Sequence, residues 1–130
     1  MAGKIFAAID IGSFELELGI YEISPGSGIR KVDHVRYALA LGSDTYRTGV
    51  ISYRHVEEMC AVLADFVRIA EGYRADERRA YATSALREAR NNRIVLDQIR
   101  VRTGLKVKII SNSEQRFLTY KAIAGKDAGF

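Results

Sequence analysis

Residues 7–23 read AAIDIGSFELELGIYEI, and the fold turns on how this stretch divides. Up to Ile11, residues 4–11 are dense in Ile, Ala and Phe with both faces apolar, the pattern of a strand inside a sheet. Residues 14–20 alternate instead. Leu16, Leu18 and Ile20 fall on one side and Glu15 and Glu17 on the other, as in a strand solvated on one face. Gly12-Ser13 between the two runs predicts a tight hairpin. Asp10 then stands at the end of the interior strand, beside a turn whose N–H groups and hydroxyl could face an oxyanion.

Downstream, SPGSG at 24–28 holds the one proline and predicts a turn into a third strand within residues 29–41. LGSDTYRTGVIS, residues 41–52, reads as loop. Ser52 offers a helix N-cap, with Ile51 and Val56 spaced for a hydrophobic staple. Val56, Met59, Cys60, Leu63, Phe66, Val67 and Ala70 then recur at helical spacing, an amphipathic helix that Gly72 should end. RRAYATSALREARN, residues 78–91, predicts a short strand at 79–82 and a helical turn capped by Thr83-Ser84. A further helix over 92–103 should stop at Gly104 in the left-handed conformation. LKVKII at 105–110 reads as a strand, and Ser111 with Glu114 forms a capping box opening a last helix.

The order along the chain is β-β-β-α-β-α-β-α, which predicts an α/β fold with a mixed five-stranded sheet. Both strand-to-helix junctions, at 82–86 and 110–114, should meet the Gly12-Ser13 turn at the carboxyl edge, where open α/β sheets bind ligands. There Asp10 could hold a magnesium ion directly or through water, and Arg87 could present a bidentate fork to a phosphate. On spacing alone these signals are weak, and the structural reading outweighs the phosphate one. Gly-Ser turns are common, and Asp10 could simply satisfy backbone donors at the strand end.

The composition sets bounds on this. A chain of 130 residues, 48% hydrophobic and 28% charged, has room for one domain with a core. Its net charge of +4 suits an anionic ligand but also arises from arginines scattered over helix surfaces. Those arginines are interleaved with Glu and Asp rather than gathered in a stripe, which argues against nucleic acid. Cys60 alone can form no intrachain disulfide, and with only His34 and His55 beside it no zinc-type cluster can be assembled. The opening apolar run is too short for a signal peptide or a membrane span, so a cytoplasmic setting is expected.

AAIDIGS, YATSALREARN and VKIISNSEQRFLTY, in this order and spacing, resemble the exopolyphosphatase / guanosine pentaphosphate phosphatase family. GVISYRHVEEMCAVLADFVRIA, residues 49–70, is similar to that family's first long helix, so the resemblance covers nearly the whole chain. It implies a ribonuclease-H-like domain of the actin-like, sugar-kinase and Hsp70-type ATPase superfamily. It further implies an enzyme that hydrolyses terminal phosphate of inorganic polyphosphate or guanosine pentaphosphate with a divalent metal such as Mg2+. By position, Asp10, Gly12 and Ser13 match the family's first phosphate loop, with Asp10 near the metal, and Arg87 matches a phosphate-binding arginine.

The segment from Ser111 matches a family motif, Ser-Gly-x-Glu-Glu-Ala-Arg, whose second glutamate orients or deprotonates the attacking water. Glu114 matches the first glutamate, but Gln115 stands at the second, and Asn112 replaces the glycine. An amide can hydrogen-bond a water yet cannot take its proton, so general-base catalysis is lost there. Phe14-Glu15-Leu16 in place of Asn-Ser-Phe also sets a carboxylate beside the first loop.

The family binds phosphate between two domains, and the second domain's Asp-x-Gly-Gly-Gly-Ser loop does not occur here. The resemblance therefore implies that residues 1–130 are a single N-terminal domain of a two-domain phosphatase. With the C-terminal domain missing, that domain is expected to be inactive alone, and a dimer through the surface that domain would cover stays open. The alternative is a catalytically degenerate module that binds polyphosphate or an alarmone nucleotide and regulates a partner. A sugar-kinase-like or actin-like ATPase is a third reading, opposed by TSALREA at 83–89.

Overall fold

A computed structural model describes residues 3–111 and 113–114. Its elements are β1 (Lys4–Ile11), β2 (Glu15–Ser24), β3 (Gly28–Ala38), α1 (Leu41–Thr48), α2 (Tyr53–Gly72), β4 (Glu77–Ala82), α3 (Ser84–Glu88), α4 (Asn92–Thr103) and β5 (Val107–Ile109). The five strands form one mixed sheet in the order β3-β2-β1-β4-β5. β1, β2 and β3 are antiparallel neighbours, whereas β4 runs parallel to β1 and β5 parallel to β4.

β1 lies in the middle of the sheet, paired on both edges. Ala7, Ile9 and Ile11 pair with Ile20, Leu18 and Leu16 across β2, and all six are buried. The alternate positions form the other face, where Asp10 lies opposite Glu17. The expected hairpin is closed by Gly12, whose N–H donates to the Glu15 carbonyl at 3.0 Å. The buried face packs on α2, and the apolar residues at helical spacing from Val56 to Ala70 all lie in the core. Burial there pushes the Cys60 thiol up from its ordinary value, away from reactivity.

Ser52 caps α2, its hydroxyl accepting from the His55 N–H at 3.2 Å. Gly72 is the last helical residue, though the left-handed turn beyond it falls to Arg74. Two tyrosines tie this helix to the edge strand: Tyr73 donates to Asp33 at 2.8 Å and Tyr37 donates to Glu58. α4 packs on α2 and stops at Gly104 in the left-handed conformation, as expected.

One expectation is overturned. Residues 41–48 are not loop but the helix α1, closed by Gly49 at φ 82 with its N–H on the Thr45 carbonyl. No side chain caps its start at Ala40, and its composition is poor in helix formers. Tertiary contacts supply what local propensity lacks. Leu41 is fully buried, and the buried Thr45 hydroxyl donates to the Ala85 carbonyl of α3 at 2.8 Å.

Among the described residues no helix is long and apolar enough to cross a membrane. Asn112 and Gln115, and with Gln115 most of the expected last helix, lie outside the described residues.

Candidate functional site

Because β1, β4 and β5 are adjacent and parallel, their carboxyl ends share one edge. Backbone bonds run on past the strands there, Thr83 N–H to the Ile11 carbonyl at 3.3 Å and Ile110 N–H to the Ala82 carbonyl at 2.8 Å. The turn after β1 and the junction after β4 touch directly, with Ser13 Oγ 3.0 Å from Ser84 Oγ. The junction after β5 is joined by Arg87, whose Nη1 donates to the Ile110 carbonyl at 2.9 Å. The three bends therefore gather as the sequence implied, bringing Asp10, Gly12, Ser13, Arg87 and Glu114 to one rim. Gln115, the sixth residue expected here, falls outside the described residues.

The details differ from expectation in two places. Thr83 makes no side-chain cap to α3, a helix of only five residues, and the Ser84 hydroxyl turns to Ser13 instead. Arg87 is exposed but not idle, since one of its donors braces the end of β5. The expected capping box is present: the Glu114 carboxylate accepts from the Ser111 N–H at 3.2 Å, while Ser111 Oγ accepts from the Glu114 N–H at 3.0 Å.

Glu15 belongs to β2, and its charge is moderated by its neighbours. Its hydrogen bond with Glu17 pushes Glu15 up and Glu17 down. Glu17 in turn faces His34 and Arg36 at 3.5 Å each.

Two functional candidates escaped the sequence because α1 read as loop. Tyr46 places its hydroxyl 3.1 Å from Ser84 Oγ, donating to it, and Gly42 donates its N–H to the Ser13 carbonyl at 2.6 Å. The missed signal was present: Asp44 in the first turn, Arg47 in the last and Gly49 beyond are the marks of a helix. His55, which has no catalytic partner near it in sequence, is held by Asp44, with Nδ1 2.7 Å from Oδ2. Asp44 also accepts from the Ser52 N–H at 2.8 Å, so this pair joins α1 to the start of α2.

Among the described residues no group of three or more His, Cys, Asp or Glu is arranged to hold a metal. A Mg2+ ion commonly takes only one or two carboxylates and completes its octahedron with water and other oxygens. Half-buried Asp10, at the end of β1, is the carboxylate at this rim that could hold such an ion.

A model of the Ppx/GppA phosphatase family matches residues 19–127, beginning after the Gly12-Ser13 turn and taking in α3 and β5. Exopolyphosphatase 1 of Mycobacterium tuberculosis is 27% identical over 115 residues, covering 88% of this chain and 33% of that relative. Its counterpart in Mycobacterium leprae is 27% identical, with 88% and 34% covered. Among solved structures, a Ppx/GppA family member from Aquifex aeolicus superposes with a TM-score of 0.86 at 26% identity, over 93% of this chain and 39% of that one. The α/β fold is that of the Ppx/GppA structures. The chain spans about a third of the length of the curated relatives it matches.

Proposed function

The chain belongs to the Ppx/GppA phosphatase family, and from that premise we propose that it holds a terminal phosphate of inorganic polyphosphate or guanosine pentaphosphate at the β1-β4-β5 edge. In this reading it is the N-terminal part of a cytoplasmic two-domain phosphatase, which hydrolyses the terminal anhydride once the second domain closes the cleft. The observation that carries it is the 3.0 Å contact of Ser13 Oγ with Ser84 Oγ, which brings two junctions far apart in sequence onto one rim.

Gly12 and Ser13 surround the phosphate with the first turn, and Arg87 adds a charged donor while bracing β5. Asp10 would hold Mg2+, which would supply charge neutralisation on the phosphate oxygens. Gln115 positions the attacking water without taking its proton, which passes to the phosphate itself or to another carboxylate. Charge stabilisation and positioning alone support much of phosphoryl transfer, so the glutamine slows such a site more than it abolishes it.

A second reading, a binding module without turnover, is favoured by Gln115 and by the commitment of Glu114 to its capping box. The two are separated by measuring phosphate release from polyphosphate with Mg2+, using the longer protein that carries this chain. Robust turnover eliminates the module. A silent protein that gains activity in the Gln115→Glu variant supports it.

A further inference from the structure

We propose that Tyr46 is a positioning residue that, acting through Ser84, turns the Ser13 hydroxyl outward to donate to a phosphate oxygen; this rests on the phosphate-binding reading above. Each hydroxyl has one hydrogen to give and two lone pairs to receive. An anion accepts only, so Ser13 helps to bind phosphate if its hydrogen is free to point at the ligand. Were Ser13 to spend that hydrogen on Ser84, it would offer the anion nothing but lone pairs. Tyr46 biases the direction, because its hydroxyl donates to Ser84 Oγ at 3.1 Å and occupies one of that oxygen's two lone pairs. A hydroxyl that accepts becomes a better donor. Ser84 then donates across its 3.0 Å contact to Ser13, and the hydrogen of Ser13 is released toward the site.

The surroundings support an aimed chain rather than incidental packing. Tyr46 is 58% exposed, more than core packing requires of so large a ring. Gly42 lets α1 approach: a Cβ there would lie 3.0 Å from Ser13 Cβ and 3.2 Å from the Tyr46 ring. Glycine therefore keeps the tyrosine and the serine on either side of one narrow contact.

The bland rival is a tyrosine that merely staples α1 to α3. Tripolyphosphate with Mg2+ is titrated calorimetrically into the 130-residue chain and its Tyr46→Phe, Ser84→Ala and doubly substituted variants, with urea unfolding of each. Tyr46→Phe keeps the ring and removes only the hydroxyl. It should weaken binding about fivefold, the worth of one net hydrogen bond, with the urea midpoint little changed. The double variant should bind no more weakly than Ser84→Ala alone, because Tyr46 acts only through Ser84. Wild-type affinity in Tyr46→Phe, or losses that simply add, overturns the positioning role and leaves the phosphate site standing. A wild-type chain that binds no tripolyphosphate overturns both.

Discussion

Arg87 holds two tasks in one side chain. Its Nη1 carries the Ile110 carbonyl at 2.9 Å, and its remaining donors are available to an anion, since a guanidinium has five. Arg87→Ala should therefore lower stability by about 1 kcal/mol and weaken tripolyphosphate binding together. Arg87→Lys keeps the charge but loses the fork, so its affinity should fall by more than its stability does. Urea midpoints and titrations on the same samples separate these effects. A stability loss in Arg87→Ala with unchanged affinity would reduce the arginine to a brace for β5. Gly42 allows an equally local test. Its Cβ would press on the Ser13 carbonyl at 3.2 Å, which is already hydrogen-bonded to the Gly42 N–H and cannot retreat freely. Gly42→Ala should cost roughly 1 kcal/mol despite alanine's better helix propensity. A stabilised variant would show that the turn yields. That Asp10, Gly12, Ser13 and Arg87 share one rim was legible in the sequence because each stands at a strand end or helical turn. Tyr46 and Gly42 were not, because their meaning lies in what α1 touches.

The two helices α1 and α2 show where periodicity succeeds and where it fails. α2 covers the sheet, so its apolar residues must recur at 3.6-residue spacing, and that repeat was visible. α1 is two turns long and has no side-chain cap at its start, and contacts to α3 and the first turn hold it in place. The junction between them is built from Asp44, Ser52 and His55. Ser52→Ala removes the α2 cap and should cost about 1 kcal/mol in urea unfolding. At Asp44 burial pushes the carboxyl up, but the bonds from Ser52 and His55 outweigh it and the group ends below its ordinary 3.8. A carboxyl depressed by folding stabilises the fold above its ordinary value, and that share is lost as pH falls through the folded value. The wild-type thermal midpoint should thus drop below about pH 4 more steeply than that of Asp44→Asn. Parallel curves for the two proteins would show that Asp44 adds nothing to acid sensitivity.

Sheet order was the part least open to reading. Each strand could be found from its own residues, but the parallel pairing of β1 with β4 joins segments separated by two helices and two strands. What the sequence did disclose was that β1 is a core strand, because its apolar residues run on without the Glu alternation of residues 14–20. Ile9 tests that placement. Its side chain is fully buried, and the residue pairs with Leu18 on one side and Ala80 on the other. Cutting it back opens a cavity between the sheet and its helices, and Ile9→Ala should cost about 3 kcal/mol. With a typical domain stability of roughly 5–15 kcal/mol, that removes a large share without unfolding the chain outright. The urea midpoint should fall while the slope of the transition stays constant, since the surface exposed on unfolding is unchanged. Asp10 is the next residue but lies on the opposite face, so tripolyphosphate affinity at low temperature should hold within about twofold, the level at which independent sites add. A loss under 1 kcal/mol would mean that the Ile9 side chain is not packed in the core. A collapse of affinity in a still-folded protein would mean that the rim depends on the packing beneath it, and that the three bends move as one body with the core.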